Sequence, residues 1–115
     1  MKNRIEIKDP NFFPVQAFLN AIPDEQFSKT LENIAKGIGA TFNDVDCSFP
    51  EDIDPNDEPF EGVSFSIFDE EVIISLEEFL IYLHQATDQY IAQHPSERDD
   101  IIRLVNRFSS KVANQ

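Results

Sequence analysis

The apolar residues of this chain change their spacing twice, from helical to alternating and back, and that switch constrains the fold more than any other feature. Val15, Phe18, Leu19 and Ile22 recur at helical spacing between Pro14 and Pro23. Pro23 ends that piece and suits the first turn of a second helix, where a missing N–H costs nothing. There Phe27, Leu31, Ile34 and Ile38 form one stripe, and Gly37 and Gly39 supply a stop, glycine being the natural left-handed C-cap. The period then falls to two. Val45, Cys47 and Phe49 alternate with Asp44, Asp46 and Ser48, and Val63, Phe65 and Ile67 alternate with Ser64, Ser66 and Phe68. Phe68 interrupts the polar face of that second strand, which implies a face that is partly covered. Asp69-Glu70 reads as a turn, and Val72 to Ile74 as a third short strand.

The helical period returns behind a capping box, Ser75 with Glu78. Leu76, Phe79, Leu80, Leu83, Ala86, Tyr90 and Ile91 line one face, and His94-Pro95 ends the helix. Ser96 with Asp99 is a weaker cap for a last helix that buries Ile101, Leu104, Val105, Phe108 and Val112 and turns Arg103, Arg107 and Lys111 elsewhere. The expectation is an α+β domain. A small antiparallel sheet of about three strands, near 43–49, 61–68 and 71–75, packs with N-terminal and C-terminal helices, the clearest near 24–36, 75–93 and 96–113. Ile5 and Ile7 alternate like a strand, over a run too brief to define one.

A chain of 115 residues is expected to form one domain, 1–115, and its eleven phenylalanines can build a core without disulfides or metal. That aromatic content separates it from a disordered acidic tail. The lone Cys47 cannot pair within the chain, as expected in a reducing compartment. The N-terminus has positive charge with no apolar run behind it, and no later run is long enough to span a bilayer. The protein is therefore expected to be soluble and cytoplasmic.

Its net charge of −13 is unevenly placed. Residues 1–36 carry five basic and five acidic residues, and residues 98–115 carry four basic and two acidic ones. Between Gly37 and Glu97 there are fifteen acids and no Lys or Arg. A merely soluble surface mixes both signs, so a segment of one sign implies a directional field. Nucleic acid and anionic membrane carry the same sign and are excluded as partners, whereas a cationic protein surface is favoured.

Catalytic chemistry finds little to work with. His84 and His94 are the only histidines; the first lies beside an apolar helix stripe, the second at a helix C-terminus where a cation is favoured. Cys47 falls on the apolar face of its strand, as a buried and inert thiol would. Three glycines cannot build a glycine-rich phosphate loop. Asp52-Ile53-Asp54-Pro55-Asn56 copies the start of a calcium loop, but Asp57 stands where glycine makes the turn and Val63 where a bidentate Glu is required. No enzyme activity, metal or cofactor is expected.

The sequence contains a further pattern. Asp46-Cys47-Ser48-Phe49-Pro50-Glu51-Asp52, Phe60-Glu61-Gly62-Val63-Ser64-Phe65, Glu71-Val72-Ile73-Ile74-Ser75 and the series Glu78-Phe79, Tyr82-Leu83, Tyr90 and His94-Pro95 resemble immunity proteins of bacterial contact-dependent growth inhibition systems. The nearest likeness is to the ribonuclease-toxin subgroup, over roughly residues 15 to 105. The resemblance implies a cytoplasmic antitoxin that binds the C-terminal toxin domain of a CdiA-type effector, a basic ribonuclease, as a 1:1 heterodimer. It marks Gly62 and Pro50 as backbone determinants and Phe79 and Leu83 as core. The contact surface it leaves open.

The residues themselves point to a partner-binding surface on Glu51, Asp52, Asp54, Asp57 and Glu58, extended by Asp69, Glu70 and Glu71. These acids fall in two loops at neighbouring ends of the meander, with no cation among them, and prolines stiffen the longer loop, which lowers the ordering cost of binding. The bland alternative is a solvated acidic surface. Two rival functions also stand: an acidic nucleic-acid mimic or adaptor for another basic protein, and a small enzyme or calcium module.

Overall fold

The computed structural model describes residues 5–50 and 62–113. They form an α+β arrangement in the order α1 (Phe13–Ala21), α2 (Phe27–Ala35), β1 (Ala40–Phe42), β2 (Val45–Ser48), β3 (Val63–Ile67), β4 (Glu70–Ile74), α3 (Leu76–Gln93) and α4 (Arg98–Ala113). The sheet is an antiparallel meander with spatial order β1-β2-β3-β4. It has one strand more than expected, because the span read as a strand over 43–49 contains a turn. Asn43 and Asp44 reverse the chain, and Phe42 pairs with Val45 across them. The three residues of β1 are too few to show an alternation of their own.

The register puts Val45, Cys47, Val63, Phe65 and Ile74 on one buried face, which is covered by α1 and by Phe79 of α3. Ring contacts run through the molecule from Phe42 to Phe18 (5.9 Å between centroids), Phe65 (5.6 Å), Phe79 (5.2 Å) and Phe108 (5.7 Å). They tie α1, the sheet, α3 and α4 into one hydrophobic cluster. The expected stripe of α4 is buried at all five positions, and α4 packs on α2 and α3. A second stack, Phe27–Tyr90–His94, has centroid spacings of 4.3 and 4.2 Å. Its Tyr90 hydroxyl donates to Glu97 Oε2 at 2.8 Å, which satisfies a polar atom on a buried ring.

Helix ends follow their sequence signals. Gly37 has φ +78°, its N–H bonds to the Ile34 carbonyl, and the Ile38 N–H bonds to that of Asn33. This is the Schellman arrangement, in which a left-handed residue lets two carbonyls of the last turn find donors. Ile38 lies past that stop and is exposed, so it leaves the stripe to which its spacing assigned it. Ser75 Oγ accepts from the Glu78 N–H at 3.0 Å, and α3 starts there. The chain enters α4 through one 3-10 turn, Pro95–Glu97. Ile5 is buried without being in a strand. The Asn20 side chain takes both its N–H and its carbonyl, and Gln16 accepts from the Ile7 N–H at 2.7 Å, so α1 holds this segment through side chains.

Gly62 enters β3 at φ +98°, and a Cβ there would run into the backbone carbonyl of Ile74. Both the φ and the close approach require glycine. Gly62→Ala is expected to cost about 1–3 kcal/mol of stability, read as a lower urea midpoint. An unchanged midpoint would mean that the β3–β4 approach is looser than described. No helix among the described residues is long and apolar enough to cross a membrane.

Candidate functional site

Two hairpin turns share one end of the sheet. Phe42 pairs with Val45, Val45 with Ile67, and Ile67 with Glu70, so the Asn43-Asp44 and Phe68-Asp69 turns lie on neighbouring hairpins. Each has only two residues between paired strands. A loop that short must twist with the strands, which places positive φ at its first position, normally filled by glycine or asparagine. Asn43 meets that demand at φ +55°, and Phe68 at φ +54°. The turn thus begins one residue earlier than the Asp69-Glu70 reading. Phe68 leaves the strand face where alternation put it and stands 81 % exposed, covering nothing.

Asp69, Glu70 and Glu71 are exposed at this end. Asp44 joins them from the other turn. Asp46 joins through the register, since Asp46 pairs with Ser66 and Ser66 with Glu71, one row across the solvent face. Thr41 Oγ1 donates to Asp46 Oδ1 at 2.6 Å and orients it. The sequence reading missed Asp44, Asp46 and Phe68. Asn43-Asp44 is a recognisable turn pair, because asparagine tolerates the left-handed region; a phenylalanine there sends no such signal. Ile73, on β4 at the sheet edge and on the same face as Glu71, is 47 % exposed. The expected acids Glu51, Asp52, Asp54, Asp57 and Glu58 lie outside the described residues, as does the calcium-like segment. The strand ends that flank them, Ser48 and Val63, are at the opposite end of the sheet from the Phe68-Asp69 turn.

Charge is balanced on α2 and α4, whereas α3 and the strands carry acids and no Lys or Arg. On α2, Lys36 pairs with Glu32 at 3.2 Å, and this hydrogen-bonded ammonium holds the Glu32 carboxyl below its ordinary value. On α4, Arg98 pairs with Asp99 at 3.4 Å and Arg103 with Asp100 at 3.8 Å. Among the described residues, Asp44, Asp46, Asp69, Glu70 and Glu71 have no ion pair. Exposed pairs such as those on the helices contribute little to stability, but they cancel the local field. The hairpin end keeps its field intact.

The remaining candidates have structural settings. Cys47 is buried between its register partners Ala40 and Phe65. His94 closes α3, with Nδ1 3.1 Å from the Tyr90 carbonyl and Nε2 3.8 Å from Asp24 Oδ2. His84 is exposed at the rim of a cavity of about 210 Å³ between α3 and α4, which Asp88, Ile91, Arg98, Ile102 and Asn106 also line. Among the described residues, no group of three or more His, Cys, Asp or Glu is placed to hold a metal. The model of a family described as CDI immunity protein matches residues 10–105, which include the whole sheet, α1 to α3 and half of α4. No curated protein matches the chain.

Proposed function

The chain belongs to the CDI immunity protein family, and from that premise we propose that it binds and neutralises the C-terminal toxin domain of a CdiA-type effector. On this reading it is a single cytoplasmic domain with no catalysis of its own, forming a 1:1 complex that covers a basic active-site surface. The family match over residues 10–105 carries the proposal. Its electrostatics support the rest. A ribonuclease must attract polyphosphate, so its cleft is cationic. The acids at the hairpin end, and those of residues 51–58, offer that cleft an opposite field. Opposite fields raise association from about 10⁵–10⁶ M⁻¹s⁻¹ towards 10⁸–10⁹ M⁻¹s⁻¹. Speed serves the cell, because free toxin degrades RNA until it is captured.

If the gene immediately upstream encodes a CdiA-type effector, its C-terminal domain, purified and mixed with this chain, tests the proposal. A 1:1 complex by light scattering, and loss of RNA cleavage at equimolar inhibitor, are the expected results. A complex with a toxin that leaves RNA intact would remove the ribonuclease part alone. No complex would remove the whole reading and leave the adaptor for another basic protein in its place.

A further inference from the structure

We propose that Phe68 is the hydrophobic anchor of the toxin interface, its ring entering an apolar socket rimmed by Lys or Arg side chains that meet Asp69, Glu70 and Glu71. The inference rests on the reading that a cationic toxin meets this end of the sheet. Single exposed apolar side chains are ordinary on a soluble surface, so exposure alone decides nothing. Phe68 differs in three ways. At 81 % it is far more exposed than any other large apolar side chain among the described residues, of which Ile81 reaches 58 %. It also occupies a turn position that the adjacent hairpin fills with asparagine, and an aromatic residue there gains no packing in return. And its backbone is held firmly, since the strands on either side pair from Val63↔Ile74 to Ile67↔Glu70 and bury Val63, Phe65 and Ile74.

Those features match what an anchor needs. A phenylalanine has two side-chain torsions, so fixing it on binding costs little entropy. Hot spots are aromatic groups desolvated in a pocket and ringed by polar contacts that exclude water. The three acids that follow Phe68, with Asp44 from the next turn, provide such a ring. The same acids decide the occupant. A second copy docking here would set its carboxylates against these, and an anionic membrane would meet like charge. A cationic protein surface gains both the ring's burial and the charge pairs, and Lys or Arg can also sit over the ring face.

Phe68→Ala and Phe68→Gly, each measured against the purified toxin domain by surface plasmon resonance, test the assignment. Both variants are expected to keep the circular dichroism spectrum and a melting midpoint at or above that of the parent, glycine most clearly because it relieves the positive φ. Both should raise Kd about 30-fold or more, mostly through faster dissociation. Phe68→Tyr, which keeps the ring, should stay within a few-fold. If Phe68→Ala binds within twofold of the parent while Asp69→Lys with Glu71→Lys weakens binding, the anchor is wrong and the acidic site stands. If both variants bind like the parent, the toxin docks elsewhere and both assignments fall. Absence of binding by the parent chain overturns the anchor together with the function beneath it.

Discussion

Replacing Phe79 by alanine is expected to lower the free energy of unfolding by about 3–5 kcal/mol, and replacing Leu83 by about 2–5 kcal/mol. Both side chains are fully buried on α3, one turn apart. Phe79 carries the heavier duty. Its ring contacts Phe65 on β3 at 5.2 Å and Phe108 on α4 at 5.7 Å, so it joins the sheet to the C-terminal helix. Truncation removes the transfer free energy of the ring and leaves a void bounded by two other fully buried rings, which cannot move in without giving up their own contacts. The same loss should appear in urea as a lower midpoint at an unchanged slope. Ile81→Ala, on the exposed side of the same helix, is the control and should stay within about 0.5 kcal/mol. Shifts well below 1 kcal/mol for both Phe79→Ala and Leu83→Ala would mean that α3 presents a different face to the core.

The same residues explain why much of this fold was legible in the sequence. Every position on the α4 stripe is buried, because a helix with apolar residues at three- and four-residue spacing has only one way to remove them from water. Alternation placed Val45, Cys47, Val63 and Phe65 correctly on the core face for the equivalent reason. What the sequence hid was short-range chain reversal. The three residues of β1 carry no usable period, and Ile38 fits the spacing of the α2 stripe although Gly37 ends that helix before it. Phe68 misled most. Its apolar side chain continues a strand pattern, and only the pairing of Ile67 with Glu70 places it in the turn. The acidic end was half legible. Asp69, Glu70 and Glu71 are legible from charge alone, whereas Asp44 and Asp46 join them only through the register of four strands.

Reversing Asp69, Glu70 and Glu71 to lysine is expected to slow association with the toxin domain about 10- to 100-fold at low salt, and to abolish most of the salt dependence that remains. Charges at the rim of an interface act chiefly on the encounter, and their reach is the Debye length, about 10 Å at 0.1 M salt. The gap between variant and parent should therefore narrow as salt rises. A carboxylate that becomes fully desolvated against a toxin Lys or Arg will behave differently. Its removal raises the dissociation rate, at a cost of about 2–5 kcal/mol. The companion variant reverses Asp52, Asp54 and Asp57. The strand ends flanking those residues lie at the far end of β3, about 13 Å away at 3.3 Å per residue. An interface of ordinary size, about 800 Å² on each partner, can cover both ends. If it does, the two triple variants should each slow association, and their effects should combine additively in free energy, as separated sites do. A toxin seated at one end only will respond to one triple and ignore the other. If neither variant differs from the parent at low or at moderate salt, the acids are solvated surface, and the toxin docks on the helices, where the cavity between α3 and α4 becomes the first place to mutate.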